Sequence, residues 1–335
     1  MKLKLKFTLF ILTLSTALQA QVVKKRTTML MGGRFDISIV AKTKLIAEAN
    51  IDTIIEEISR IEFLISDWKP TSQVSAVNQH AGEYPVKVDR EVFKLTQRAI
   101  QLSKLTNGAF DISFAAMDRI WKFDGSMTEM PSPDAVRKSV QNVNYKNIIL
   151  DSINCTIFLK EKGMKIGFGA LGEGYATNRC RKMMLEKGIN AGIVNATGDM
   201  SVWGKQPNGK PWMIGITNPF HKDSLFAAVP IKNGAVVTSG SYEKFVMFNG
   251  KRYSHIINPT TGYPVTGLTS VTVFGPDTEK ANGFSTSIML LGKDKGLQLL
   301  AGFPEYSCVI FGDDGQLYWS GNLDTQTIEK WKKNL

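Results

Sequence analysis

Apolar and polar positions change rhythm several times along this chain, and each rhythm predicts an element. From 27 to 42, β-branched and apolar residues alternate through Phe35, Ile37 and Ile39, which predicts a strand. From 43 to 66 the spacing lengthens to the 3.6 period of an amphipathic helix, through Ile46, Ile51, Ile54, Ile55, Ile58, Ile61, Leu64 and Ile65. A second helix is expected from Glu91 to Thr106, with Gly108 as its stop, and a third from near Gly172 to Lys187, ended by Gly188. Two more are expected at Thr278 to Leu291 and Lys293 to Ala301. Short strand-like runs fall at 147–151, 155–160, 191–195, 212–216, 225–231, 245–248, 269–274 and 307–311. Strands and helices without a regular βαβ alternation predict an α+β fold. The polar, proline-bearing stretch 122–140 is the expected surface excursion, a soft boundary if the chain has two lobes.

The N-terminus breaks this pattern. Lys2, Lys4 and Lys6 precede an apolar run from Phe7 to Leu14, then come Ser15, Thr16, Ala17 and Ala20. A basic start, a short apolar middle and a small-residue end describe a secretory signal at 1–20, too short to span a bilayer stably. The expectation is an exported, periplasmic protein whose mature domain covers 21–335, with no cysteine near the cleavage point to carry a lipid. That segment also carries three lysines and no acid, so the formal charge of +11 falls to +8 on the mature chain. The 335 residues are 43% hydrophobic and 21% charged, an ordinary globular composition. Scattered lysines without an aromatic-interleaved basic stripe argue against a nucleic-acid partner. Cys155, Cys180 and Cys308 form no CxxC pair; three buried thiols are expected, with one disulfide plus a free thiol as the alternative.

Candidate chemistry lies in five segments. The run from Gly167 to Tyr175 opens into a helix, so its backbone can crowd a ligand while the helix N-terminus favours negative charge. Its spacing is not that of a dinucleotide-binding GxGxxG turn. Val194 to Asp199 and Thr238 to Tyr242 are polar turns able to offer hydroxyl and amide donors. The chain has only His80, His221 and His255, and no GxSxG elbow, which sets a serine hydrolase aside. His255 leaves a strand into a loop locked by Pro259, Gly262 and Pro264, suited to holding an imidazole beside a ligand. Asn282 and Thr286 are four apart on one helical face, so two oxygen-bearing side chains could share a hard cation.

Taken in order, these segments resemble the ApbE family. The matching motifs are Met31-Gly32; Ser66-Asp67-Trp68-Lys69-Pro70 with Ser72 and Asn78; Gly108 to Ile112; Gly172 to Ala176; Thr238-Ser239-Gly240; His255 to Pro264; and Ala281 to Thr286. Each is short, and seven in the correct order are specific. The resemblance implies mixed, largely antiparallel sheets flanked by helices, an architecture related to the T-fold. It implies an enzyme that cleaves FAD at its pyrophosphate and transfers FMN to a protein threonine or serine, releasing AMP. The acceptor would be an exported redox subunit carrying a Ser/Thr-Gly-Ala-Thr-like sequence, and any association with the membrane surface would come through that target. Met31, Trp68, Ala109, Phe110, Asp111, Gly167, Glu173, Ile257 and Ser285 are the expected flavin-nucleotide residues.

The resemblance also implies a Mg²⁺ held by the Ala170 carbonyl, by Thr286 and by residue 282, where the family has aspartate and this chain has Asn282. Gly167 likewise stands where relatives commonly carry an acid. Both changes remove negative charge from the site. His255 is the leading candidate for general base, with Asp111 second. An FMN transferase is the leading reading; a flavin carrier with weakened catalysis and an FAD pyrophosphatase are the alternatives.

Overall fold

In the computed structural model, the described residues are 21–332 except Lys222, Glu243 and Asp324; the expected signal at 1–20 lies outside them. Eight strands form one sheet whose spatial order is their order in the chain: Val22–Leu30, Gly33–Ala41, Gly192–Ala196, Asp199–Trp203, Gly234–Gly240, Leu268–Gly275, Ser307–Gly312 and Leu317–Trp319. Every neighbouring pair is antiparallel. The α+β expectation therefore holds. The remaining segments are excursions from this meander, and they build both its covering layers and its site.

Side-chain parity divides the sheet cleanly. Phe35, Ile37, Ile39, Val194, Trp203, Val237, Val271 and Ile310 point to one face, where the helices Lys44–Ile65, Gly172–Glu186 and Thr278–Leu291 pack. Val40, Val202, Val236 and Phe274 point to the other, which the Trp212–Thr217 and Leu225–Ile231 hairpin, through Phe226 among others, covers together with Ile328. The long helix buries Ile51, Ile54, Ile58 and Ile61 completely, the stripe that its 3.6 period demands.

The expected single strand at 27–42 is instead a hairpin. Its two-residue turn, Met31-Gly32, has φ of 51° and 78° between the paired Leu30 and Gly33. Thr197-Gly198 repeats this arrangement, with φ of 49° and 112° between Ala196 and Asp199. Positive φ at both central positions twists the turn to match the twist of the strands, and the glycine adopts it without a Cβ penalty. Met31 and Thr197 bear the strain, and both side chains face the site described below.

The 122–140 stretch contains a short helix, Pro133–Ser139, with Val136 fully buried. Cys180 and Cys308 are buried and Cys155 is partly exposed, so the expectation of three buried thiols holds for two; none is paired.

Candidate active site

A cleft of about 440 Å³ opens where the glycine loop, the Thr197 turn, the end of the Gly234–Gly240 strand and the Thr278–Leu291 helix meet. A second cleft of about 400 Å³ adjoins it, and the two share Gly169 and Glu173. Met31 and Trp68 line the second cleft; Phe110, Asp111, Ile257, His255, Ala170, Asn282 and Thr286 line the first. Ala109 and Gly167 line neither, and Ser285 is fully buried behind the wall, where its Oγ lies 2.8 Å from Ser239 Oγ. Ser239 Oγ is also 3.4 Å from Thr286 Oγ1, so Ser285 fixes the hydroxyls that face the cleft.

The Ser66 to Asn78 motif is a brace. Ser72 caps the Gln73–Gln79 helix and its hydroxyl donates to the Ser66 carbonyl. The Asn78 amide bonds both the carbonyl and the N–H of Ile166, at 3.0 and 2.8 Å, which pins the segment entering the glycine loop. Trp68 stays 68% exposed, with the Arg119 guanidinium 3.8 Å from its ring centre, a flat cation–π shelf at the mouth of the second cleft. At Gly167 a side chain has no room: a Cβ would fall 2.9 Å from Ala115 Cβ and 3.3 Å from Asp67 Oδ2. The Asp67 carboxylate thus stands beside the position where the resemblance implies an acid. Burial raises its pKa, against the opposing pull of Arg119 and Lys165.

Asp111 reaches the cleft wall, and its carboxylate is heavily used. Oδ1 accepts the Ser113 N–H and hydroxyl at 2.8 and 2.6 Å, and Oδ2 accepts the Tyr145 N–H at 2.9 Å. Burial raises its pKa and these donors oppose the rise. It fastens the loop that presents Phe110. Replacing Asp111 by alanine should cost about 1–3 kcal/mol through the buried donors left behind; an unaltered denaturant midpoint would contradict this.

Glu173 Oε2 accepts the Thr197 hydroxyl at 2.5 Å. Burial raises its pKa, while Thr197 and then Lys244 act to lower it. Asp199 ends the Val194 to Asp199 segment and starts its own strand. It is 5% exposed and lines the cleft, and among the described residues its carboxylate has no hydrogen bond or ion pair. Burial pushes its pKa well up and the nearby Glu173 pushes it further. Tyr242, from the Thr238 to Tyr242 segment, also lines the cleft, as does Lys244, an isolated lysine that gives no sequence signal.

A carboxyl whose folded pKa exceeds its unfolded value contributes stability below about pH 4, and loses it as pH rises through the folded pKa. The cation-free protein should therefore lose stability from acid toward neutral pH through Asp199 and Glu173. Asp199→Asn should flatten that slope in thermal melts; an unchanged slope would count against it.

His255 leaves the Lys251–Ser254 strand, and its Nδ1 lies 3.2 Å from the Lys244 carbonyl. A carbonyl only accepts, so Nδ1 is the ring nitrogen that donates in this contact. The loop behind it is rigid: Asn258 Oδ1 accepts the N–H groups of Thr260 and Thr261, and Gly262 N–H donates to the Asn258 carbonyl at 2.8 Å. Trp121 Nε1 donates to the Gly262 carbonyl at 2.9 Å, and Phe123 meets the imidazole edge-on.

The oxygens expected to hold a cation have the right state for one. The Ala170 carbonyl accepts no hydrogen bond among the described residues. Asn282 is 7% exposed, and its Oδ1 is a buried atom without a hydrogen-bond partner among them. Thr286 lies one turn further along the same cleft wall. Orphaned buried oxygens are rare and call for a partner. Three hard oxygens suit Mg²⁺, although no group of three or more His, Cys, Asp or Glu is present among the described residues.

The ApbE family model matches residues 31–310, spanning every motif of this site. The chain belongs to the ApbE family. It is 31% identical to an FAD:protein FMN transferase of Klebsiella pneumoniae, over 76% of this chain and 79% of the relative. A second FAD:protein FMN transferase, from Treponema pallidum, is 27% identical over 82% of this chain and 81% of its own length. Among solved structures, the ApbE protein of Thermotoga maritima superposes with a TM-score of 0.80 at 28% identity, covering 92% of this chain and 99% of that one. The ApbE fold thus supports the α+β architecture and places the motifs within one family.

Proposed function

We propose that this protein is an FAD:protein FMN transferase. The observation that carries the reading is the convergence, in an ApbE chain, of His255, Glu173, Asn282 and Thr286 on one cleft that continues past Gly169 to Met31 and Trp68. Two joined clefts suit a dinucleotide bent across the glycine loop. Met31 and Trp68 offer polarizable and flat walls to one ring system, and Phe110 to the other. The N-terminus of the Gly172–Glu186 helix and Lys244 favour the pyrophosphate between them.

In the reaction, an acceptor hydroxyl oxygen forms a bond to the FMN phosphorus, and the phosphorus–oxygen bond to AMP breaks. His255 Nε2 takes the hydroxyl proton, and AMP leaves with the electron pair of the broken bond. Mg²⁺ bound by Ala170, Asn282 and Thr286 would supply charge stabilisation for the pyrophosphate. Ser239, held by Ser285, donates toward the same oxygens. His255 is exposed, so a chain segment of another protein can reach it. The acceptor is a threonine or serine in a Ser/Thr-Gly-Ala-Thr-like sequence of an exported redox subunit, and export of the enzyme through residues 1–20 brings the two together in the periplasm.

Purified mature protein incubated with FAD, Mg²⁺ and an acceptor peptide bearing that sequence should add the mass of FMN to the peptide and release AMP. Free FMN plus AMP would replace this reading by FAD hydrolysis, and intact bound FAD by a carrier role. Export is checked by N-terminal sequencing of the periplasmic protein, which should begin after Ala17 or Ala20.

A further inference from the structure

We infer that Asp199 supplies the negative charge of the cation site, in place of the aspartate that this chain lacks at position 282. The inference rests on the transferase reading and its Mg²⁺, and it deepens that site. Four observations bring the residues together. Ser201 Oγ lies 2.5 Å from Thr278 Oγ1, so the Asp199–Trp203 strand faces the Thr278–Leu291 helix at that point. Asp199 is two residues from Ser201 and therefore on the same face of the strand. Asn282 is one helical turn from Thr278. Asp199 and Asn282 both line the same cleft, so the step along the strand and the step along the helix run the same way.

The state of the two side chains points to a shared ligand. Asn282 Oδ1 is buried without a partner, and the Asp199 carboxylate, also more than nine-tenths buried, has no donor or cation among the described residues. Both are acceptors, so Asn282 Oδ1 and an ionised Asp199 carboxylate do not satisfy each other. Two buried oxygen groups facing one cleft without partners are each costly unless something binds between them. A hard divalent cation meets both requirements: it accepts oxygen donors, and it offsets a buried carboxylate. The neutral Asn282 then contributes an oxygen, Asp199 contributes the charge, and the Ala170 carbonyl and Thr286 complete a set drawn from one strand, one helix and the glycine loop. Glu173 stays with Thr197 and Lys244, outside that set.

The test is Mn²⁺ binding by electron paramagnetic resonance, with Mg²⁺ competition, on the mature protein in the presence of FAD and on the same FAD solution without protein. Wild type, Asp199→Asn, Asn282→Asp and the double variant Asp199→Asn/Asn282→Asp are compared, with thermal melts to establish that each is folded. Asp199→Asn keeps the shape and removes the charge, and should weaken Mn²⁺ by about 10- to 100-fold. The double variant returns the carboxylate to position 282 and should recover most of that loss. Asp199→Asn binding Mn²⁺ as wild type does would overturn the assignment, as would a loss that the double variant leaves unrescued. If wild type itself holds no Mn²⁺ beyond the FAD blank, the cation reading of the whole site fails, and this inference with it.

Discussion

His255→Ala should lower FMN transfer by about 10²- to 10⁴-fold while FAD remains bound, the range expected for removal of a positioned general base. The size of the effect comes from how firmly the ring is held. Its Nδ1–H to the Lys244 carbonyl sets the tautomer, and the Asn258 turn and Trp121 hold the loop from behind. FAD retention is expected because the flavin walls, Met31, Trp68 and Phe110, and the helix N-terminus are all independent of the imidazole. Transfer is followed by the mass of the acceptor, and FAD by its fluorescence. Undiminished transfer would dispose of His255 as the base. Loss of both transfer and FAD would instead make it a binding residue.

Gly174→Ala should destabilise the protein even though alanine is the better helix former by about 1 kcal/mol. Gly174 lies within the Gly172–Glu186 helix, where it packs directly on the Thr278–Leu291 helix. A Cβ there would fall 2.7 Å from the Thr278 carbonyl oxygen and 2.8 Å from Asn282 Cβ. One of these is backbone and cannot rotate away, so the helices must separate. Overpacking of this kind costs about 1–3 kcal/mol, enough to outweigh the gain in propensity. The displaced residue is Asn282 itself, so the variant should also bind Mn²⁺ more weakly than wild type. A raised melting temperature with unchanged Mn²⁺ affinity would show that the helices tolerate the methyl group.

The two departures from the family pattern have related physical explanations. At position 167 the neighbouring Asp67 stands where a side chain would otherwise project, and at position 282 the neutral Asn282 faces a cleft that also holds Asp199. A carboxylate stands beside position 167, and one lines the same cleft as position 282. A residue-by-residue comparison sees only the losses.

How much of this was legible in the sequence depended on whether a signal was local. The helix at 44–65 and the pair Thr278–Leu291 and Lys293–Ala301 follow from apolar period, and the structure places them within a residue of expectation. The strands Asp199–Trp203 and Gly234–Gly240 give no clear sequence signal because they run through the middle of the sheet and carry buried Ser201 and half-buried Thr238 and Ser239, which break the alternation. Alternation continues through Met31-Gly32 and so predicts one strand over 27–42, whereas the positive φ of both residues turns the chain into the 22–41 hairpin.

The sequence by itself determined the α+β class, the helices, the family motifs and the i, i+4 placement of Asn282 and Thr286, since each is written in neighbouring residues. Tertiary structure alone decided which side chains share the cleft. Asp199 and Asn282 line one cleft where Ser201 bonds Thr278, and Glu173 meets Thr197 because Gly33 leaves room, a Cβ there falling 2.6 Å from Thr197 Cγ2. Such pairings depend on how a strand and a helix are set against each other, and no local pattern of residues encodes that.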